Sequence, residues 1–351
     1  MTTVLPRSGS PVQQLIDSIA LDPAAPDTFR SRPAVPLDAS AVFGGQIVAQ
    51  ALSAAARTVP REREPHSLHG YFLYRGDPAA PITYRVERLR DGHSFTVRRV
   101  VAVQLGRTEQ EIFHLTASFK STSRTVSRPG ANHQDPMESA PAPHRLPLAV
   151  DEPPAHVHPG VVRRLSEVRD AIDLRYVREP STPPSGPPSG PPSGPPSGVR
   201  TSGSGTVTRV WFRVRELPPG AAAHEPALHH CLVAYLSDLT LLDSGSPCHR
   251  TGSPNDGSGS AVSLDHAMWF HRPLSADEWL LYEQRSPSFA DGRALIHARI
   301  YQADGTLVAS VVQEGAIRLG RTPGAVQQAA PLPDDPEIDP FSWAVAKPET
   351  D

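Results

Sequence analysis

The sequence predicts an α+β protein made of two similar halves, each a central helix followed by long antiparallel strands that wrap around it. Three observations carry this prediction. The segment from Gln46 to about Thr58 has helical periodicity, and its Ile47, Ala51, Ala54 and Ala55 form one narrow face of small residues. Strand-like segments divided by turn signals follow it. The same order then returns downstream, with Phe72 and Phe270 in matching motifs 198 residues apart and Gln104 and Gln302 at the same spacing.

The elements follow in order. Val12, Leu15, Ile16 and Ile19 mark a short amphipathic helix from Pro11 to Leu21, and the Pro-rich stretch from Asp22 to Ala41 reads as irregular. Phe43-Gly44-Gly45 opens the first central helix and Pro60 closes it. Strands are expected at Leu68–Tyr74, Ile82–Leu89, Phe95–Gln104 and Ile112–Phe119, with turns at Gly76-Asp77-Pro78, Asp91-Gly92 and Gly106. The segment 121–165 is rich in Pro, Ser and His without periodicity, so an exposed, mobile linker is expected there. The second half has strands at Ile172–Val177 and Val207–Val214, a helix from Pro226 to Leu242, and strands at Ser263–His271, Glu278–Ser286, Ala294–Gln302 and Thr306–Arg318. Four tandem Pro-Pro-Ser-Gly units at 183–198 can be neither strand nor helix, and they fall between two strand segments as a hairpin tip. The resulting domains are 11–120 and 166–320, with a tail at 321–351.

Composition excludes several function classes. The chain has 351 residues, enough for two cores, and its 40 prolines and 25 glycines account for the low 38% hydrophobic content. A net charge of −3 with no dense basic block offers nothing to nucleic acid. No run of about 18 apolar residues suggests membrane insertion, no secretory signal opens the chain, and no peroxisomal Ser-Lys-Leu address closes it, so a cytoplasmic location is expected. Cys231 and Cys248 make no disulfide framework, and Cys231 among apolar neighbours reads as a reduced core thiol. The fifteen histidines show no zinc-ligand spacing: His229 and His230 are adjacent, and His266 and His271 fall on opposite faces of a strand. There is no Gly-x-Ser-x-Gly elbow either, and no metal or cofactor is expected.

Three polar residues stand in apolar surroundings. Counting from Asp238 along a helix, Cys231, Ala234, Leu241 and Leu242 share its stripe, so the carboxylate must be paired, protonated or used. A helix-end acid bonded to a loop would meet the same requirement. Gln313 shares a strand face with Leu307, Ala309 and Val311, as a hydrogen-bonding group inside a pocket or as a polar strand end in solvent. Ser263 opens the strand that continues into Met268-Trp269-Phe270, where a hairpin or capping serine is the plainer reading.

Phe-Gly-Gly-Gln46, His-Ser-Leu-His-Gly-Tyr-Phe72, Arg-Asp-Gly-His-Ser-Phe95 and Thr-Ala-Ser-Phe119 resemble the first half of the acyl-CoA thioesterase II family. Ala-Tyr-Leu-Ser-Asp238, Ser-Leu-Asp-His-Ala-Met-Trp-Phe-His-Arg-Pro273, Glu-Trp-Leu-Leu-Tyr282 and Val-Ala-Ser-Val-Val-Gln-Glu-Gly315 resemble the second. The resemblance covers about 11–120 and 168–320, and it implies a tandem (double) hotdog fold and hydrolysis of fatty acyl-CoA to free fatty acid and CoA. It further implies that Asp238, Ser263 and Gln313 hold and activate the attacking water without a metal. The family often has Thr where Ser263 stands, and the 243–260 segment is Gly/Ser-rich here. Under the same reading, backbone N–H groups of the Gly44-Gly45 turn would polarise the thioester oxygen and scattered arginines would hold CoA. The first central helix has Gln46 and Gln50 but no acid, so no second centre is expected. A homo-oligomer is expected from the habit of hotdog proteins. Two other functions fit the same motifs: a hotdog hydratase or dehydratase of enoyl thioesters, and a non-catalytic acyl-CoA-binding protein.

Overall fold

Small side chains decide how the first half is built. In the computed structural model, helix α2 (Gly44–Ala56) buries almost its whole surface, and Ala49, Ala51, Ala54 and Ala55 are inaccessible. A helix that is apolar all round needs cover on every side. One side of α2 lies in the concave face of strands β3 (Arg63–Phe72), β4 (Thr83–Asp91), β5 (Phe95–Leu105) and β6 (Glu109–Ser121). On the other side it meets α5 (Leu228–Ser237), the central helix of the second half. The structure describes residues 9–32, 41–106, 108–121, 132–177, 207–224, 227–246 and 259–318; the Pro-Pro-Ser-Gly tract, the 321–351 tail, Cys248 and most of the Gly/Ser-rich segment lie outside them.

The stretch expected to be irregular after α1 (Pro11–Ile19) contains a hairpin, β1 (Leu21–Ala25) with β2 (Thr28–Ser31). Pro23 misled the reading, but β1 is the outermost strand, where a missing N–H donor breaks no ladder. Asp27 turns the hairpin at φ +49°, a left-handed conformation that Asp tolerates.

The second half repeats the plan. α3 (Pro159–Glu167), β7 (Ile172–Tyr176) and β8 (Val207–Val214) precede the short α4 (Ala221–His224) and then α5 and α6 (Leu241–Ser244). β9 (Ser260–Ser263), β10 (Asp265–Phe270), β11 (Leu280–Ala290), β12 (Arg293–Gln302) and β13 (Leu307–Arg318) complete it. The strand order is β1-β2-β4-β5-β6-β3-β10-β13-β12-β11-β8-β7, which reads alike from both ends when each strand is replaced by its repeat partner. The halves join at β3 and β10 in the register Met268↔Leu68, so the two sheets are one continuous antiparallel surface over two helices. This is a tandem hotdog.

Two expected elements are broken, and the breaks lie together. The helix foreseen from Pro226 to Leu242 ends at Ser237; Asp238 is its C-cap, and α6 restarts at Leu241. The strand foreseen from Ser263 to His271 divides at Leu264, with β9 and β10 each pairing a different stretch of β13.

The segment 121–165 also departs from expectation where it is described. Residues from 134 to 146 lie as a strap across the outer face of the second sheet. Gln134 bonds the backbone of Gly305 at 2.8 Å and Leu307 at 3.1 Å, Asp135 pairs with Arg299 at 2.5 Å, and Trp211 Nε1 donates to Pro141 O at 2.9 Å. Carbonyls of such a Pro-rich strap accept from side chains, so it docks without ladder hydrogen bonds and leaves no periodic pattern in the sequence. α3 falls inside the same expected linker, yet it is the first helix of the second repeat and buries Leu165.

Candidate active site

The breaks bring the three polar residues together. Asp238 lies past the last turn of α5, which Tyr282 ties down by donating its hydroxyl to Ser237 O at 3.0 Å. Ser263 ends β9 opposite Gly315, and Gln313 sits in β13 between the β10 and β9 pairings. The Gln313 side-chain amide donates to Asp238 Oδ1 at 2.9 Å and to Ser263 Oγ at 2.6 Å. Gln313 is fully buried, while Asp238 and Ser263 keep a partial opening. Interrupted pairing frees this space for side chains, a common role for irregular strands beside sites.

Gly44 and Gly45 are at the same place, where they also have a steric role. The N-terminus of α2 abuts the C-terminus of α5: a Cβ on Gly44 would lie 2.7 Å from Asp238 Oδ2, and one on Gly45 would lie 2.5 Å from Tyr235 O. The Gly45 N–H donates to the Asp238 carboxylate. The glycines therefore let one helix end approach the other, and at least one N–H serves the acid itself.

Burial pushes the Asp238 carboxyl up to about 6; the Gln313 hydrogen bond, the Arg164 charge, the Gly45 N–H and the Ser263 hydroxyl each act to lower it, by less. The negative end of α5 disfavours the charge and the positive end of α2 favours it. Although the residue is not wholly hidden by its own accessible surface, its carboxyl is packed densely enough for desolvation to dominate.

Several neighbours have no signal that sequence reasoning used. Arg164 on α3 stacks 4.4 Å over the Phe43 ring, which in turn meets Tyr235 edge-on at 5.0 Å. Phe72 lines the Gly44 side. His266 and Ser237 lie behind Gln313 and bond each other at 2.9 Å. The alternation His266-x-Met268-x-Phe270 does place His266 on the buried face, which could have marked it. In the first repeat, Gln50 accepts from Tyr84 and donates to Ser18 O, so that helix position is closed by packing. Among the described residues no group of three or more His, Cys, Asp or Glu side chains is arranged to hold a metal ion.

The chain as a whole matches known proteins. The acyl-CoA thioesterase N-terminal domain model matches residues 33–120, and the C-terminal domain model matches 138–317, beginning within the strap. The chain is 34% identical over 321 residues to acyl-coenzyme A thioesterase 8 of Mus musculus, covering 89% of this chain and 91% of that protein. It is 33% identical to acyl-CoA thioesterase 2 of Haemophilus influenzae, covering 79% and 87%. A solved acyl-CoA thioesterase II from Mycobacterium marinum is 37% identical, with TM-score 0.62 over 86% of this chain and 97% of that one. A hot dog fold protein from Alicyclobacillus acidocaldarius, at 17% identity and TM-score 0.61 over 88% and 99%, shares the fold. Both domain models fall on one chain in sequence order, and relatives above 30% identity span most of it: the protein belongs to the acyl-CoA thioesterase II family.

Proposed function

We propose that this protein hydrolyses fatty acyl-CoA to free fatty acid and CoA, with Asp238 as the base and Ser263 and Gln313 as the groups that hold the water. The observation that carries the reading is the shared Gln313 amide, bonded at 2.9 Å to the carboxylate and at 2.6 Å to the serine hydroxyl. A carboxyl at about 6 is largely ionised at neutral pH yet basic enough to take a proton from water. Water attacks the thioester carbon as its proton passes to Asp238; the tetrahedral intermediate collapses, the C–S bond breaks, and the proton returns to the departing thiolate. The positive end of α2 abuts this region and is suited to polarise the thioester oxygen, with the Gly44 N–H as the donor in this reading. Arg164, whose charge acts on Asp238, supplies a cation beside the site for the anionic CoA.

The same proposal includes self-association and a cytoplasmic setting. Exposed Tyr71 and His69, the latter edge-on to Trp269 at 5.0 Å, lie at the middle of the outer sheet face and suit contact with a second copy. Cys231 is a buried thiol outside any disulfide, which suits a reducing compartment. Light scattering and cell fractionation test these two points.

The central test follows CoA thiol release from a panel of acyl chain lengths. Asp238→Asn is expected to lower kcat by roughly 10²–10⁴ and Ser263→Ala to lower it clearly, while Ser263→Thr stays active. Turnover above a tenth of wild type in Asp238→Asn would overturn the assignment of the base. Hydration of an enoyl-CoA without thiol release, or tight binding with no turnover, would overturn the activity.

A further inference from the structure

Gln313 can act as described only with its amide one way round. If it were turned over, Oε1 would face the Asp238 carboxylate, acceptor against acceptor. The carboxylate thus selects the working orientation from one side, and a donor to Oε1 on the far side would reinforce it.

The far side is occupied by His266. Extending the β10–β13 register Ala267↔Val312 by one residue sets His266 opposite Gln313, and both side chains are fully buried on the inner face. The His266 Nδ1 and the Gln313 Oε1 are both buried and neither has a formed hydrogen bond among the described residues, while Gln313 is close enough to act on the imidazole. The His266 Nε2 is fixed by Ser237 Oγ at 2.9 Å. Ser237 Oγ also lies 2.9 Å from Ala234 O and 3.5 Å from Met268 Sδ, so its proton has three acceptors to choose among. Burial holds the ring down at about 4, against the smaller opposing effect of Gln313, and the imidazole is neutral with a single N–H at pH 7. In the first repeat the matching rung pairs Leu68 with Ala117, both buried and apolar, so the polar connection is confined to the half that carries the acid.

We propose that His266 is a positioning residue: it accepts from Ser237 at Nε2, donates its Nδ1–H to Gln313 Oε1, and so fixes the Gln313 NH2 toward Asp238 and Ser263. The chain Ser237 to His266 to Gln313 to Asp238 then runs in one donor direction, and each bond polarises the next. The proposal rests on the reading of Asp238, Ser263 and Gln313 as the water-holding trio.

Two measurements test it. In wild-type protein, two-bond ¹H–¹⁵N correlation spectra are expected to show His266 as the neutral Nδ1–H tautomer at pH 7; the Nε2–H tautomer would overturn the proposal without any variant having to fold. In thiol-release kinetics, His266→Leu is expected to lower kcat about 10- to 100-fold with KM within about threefold, as a misplaced catalytic group does. His266→Asn, which keeps a donor near the Nδ1 position, is expected to recover most of that loss. Ser237→Ala, the mildest change, is expected to lower kcat several-fold. In a Gln313→Ala background, neither His266→Leu nor Ser237→Ala should cost more. Additive losses there mean a merely structural role for His266 and overturn the proposal while leaving the trio intact. Gln313→Ala with wild-type turnover overturns the trio itself, and the positioning role with it.

Discussion

At Asp238, burial and the negative end of α5 oppose ionisation, while Gln313, Arg164, the Gly45 N–H and Ser263 favour it, and the balance leaves the carboxyl at about 6. In the free enzyme kcat/KM should therefore fall about tenfold per pH unit below that value, with a single ionisation in the acid limb. The same shift affects stability. Between about 4 and about 6 the folded state keeps a proton that the unfolded chain has lost, so stability falls as pH rises through this window and stays lower above it. Asp238→Asn should then be far less active yet more stable than wild type at pH 8, by roughly 1–3 kcal/mol, with the gap closing as pH approaches about 4. Denaturant midpoints at the two pH values check this; an Asn variant less stable at pH 8 would mean that the charge-assisted bonds outweigh burial. In the sequence, Asp238 was recognisable as an acid within an apolar stripe. Gln313 and Ser263 were joined to it only through the family resemblance, because they lie 75 and 25 residues away along the chain and meet it only through pairing.

The helix ends set the geometry at the next scale. α2 starts with two glycines because its first turn sits directly on the end of α5. A methyl at Gly44 would push on the carboxylate and on Phe72 at 3.2 Å, both side-chain contacts that can move. A methyl at Gly45 would meet the Tyr235 backbone carbonyl, which cannot move without shifting α5. Gly44→Ala is expected to lower kcat at least tenfold with a Tm loss of only a few degrees, whereas Gly45→Ala should lose about 1–3 kcal/mol or more of stability. Thermal melts and thiol-release rates of the two variants check the contrast. The sequence showed where the helices lie through their periodicity, but it extended the second one through Asp238, since Leu239, Leu241 and Leu242 continue the apolar pattern past the cap. The strand expected from Ser263 to His271 took in Leu264 for the same reason, as part of an unbroken strand-like run, and the break shows only against β13.

Across the whole molecule, each half wraps its own helix and the two helices shield each other, so neither half has a complete core alone. The Pro-Pro-Ser-Gly tract lies between β7 and β8, whose pairing is already in register from Ile172↔Val214 to Tyr176↔Val210. Replacing residues 183–198 with a short Gly/Ser turn changes closure entropy by only ~0.6 kcal/mol per halving of loop length. Tm and turnover should therefore remain near the parent's, and loss of soluble protein on shortening would show that the tract packs or binds. The strap is the opposite case. Trp211 packs with Leu281 and Tyr301 beneath it and donates to Pro141 O, so this Pro-rich segment is part of the folded unit despite its composition.

The sequence by itself determined the duplicated α+β plan and the family, and it named the acid, hydroxyl and amide proposed for the site, because periodicity, repeat spacing and motif are properties of neighbours along the chain. It also showed which glycines open the first central helix. The tertiary structure alone decided that α5 stops at Asp238, that β9 and β10 part at Leu264, that the Gly45 N–H turns to the acid, and that His266 stands behind Gln313. Each of these depends on what lies across a ladder or against a helix end, and a residue's own neighbours in sequence carry no record of that.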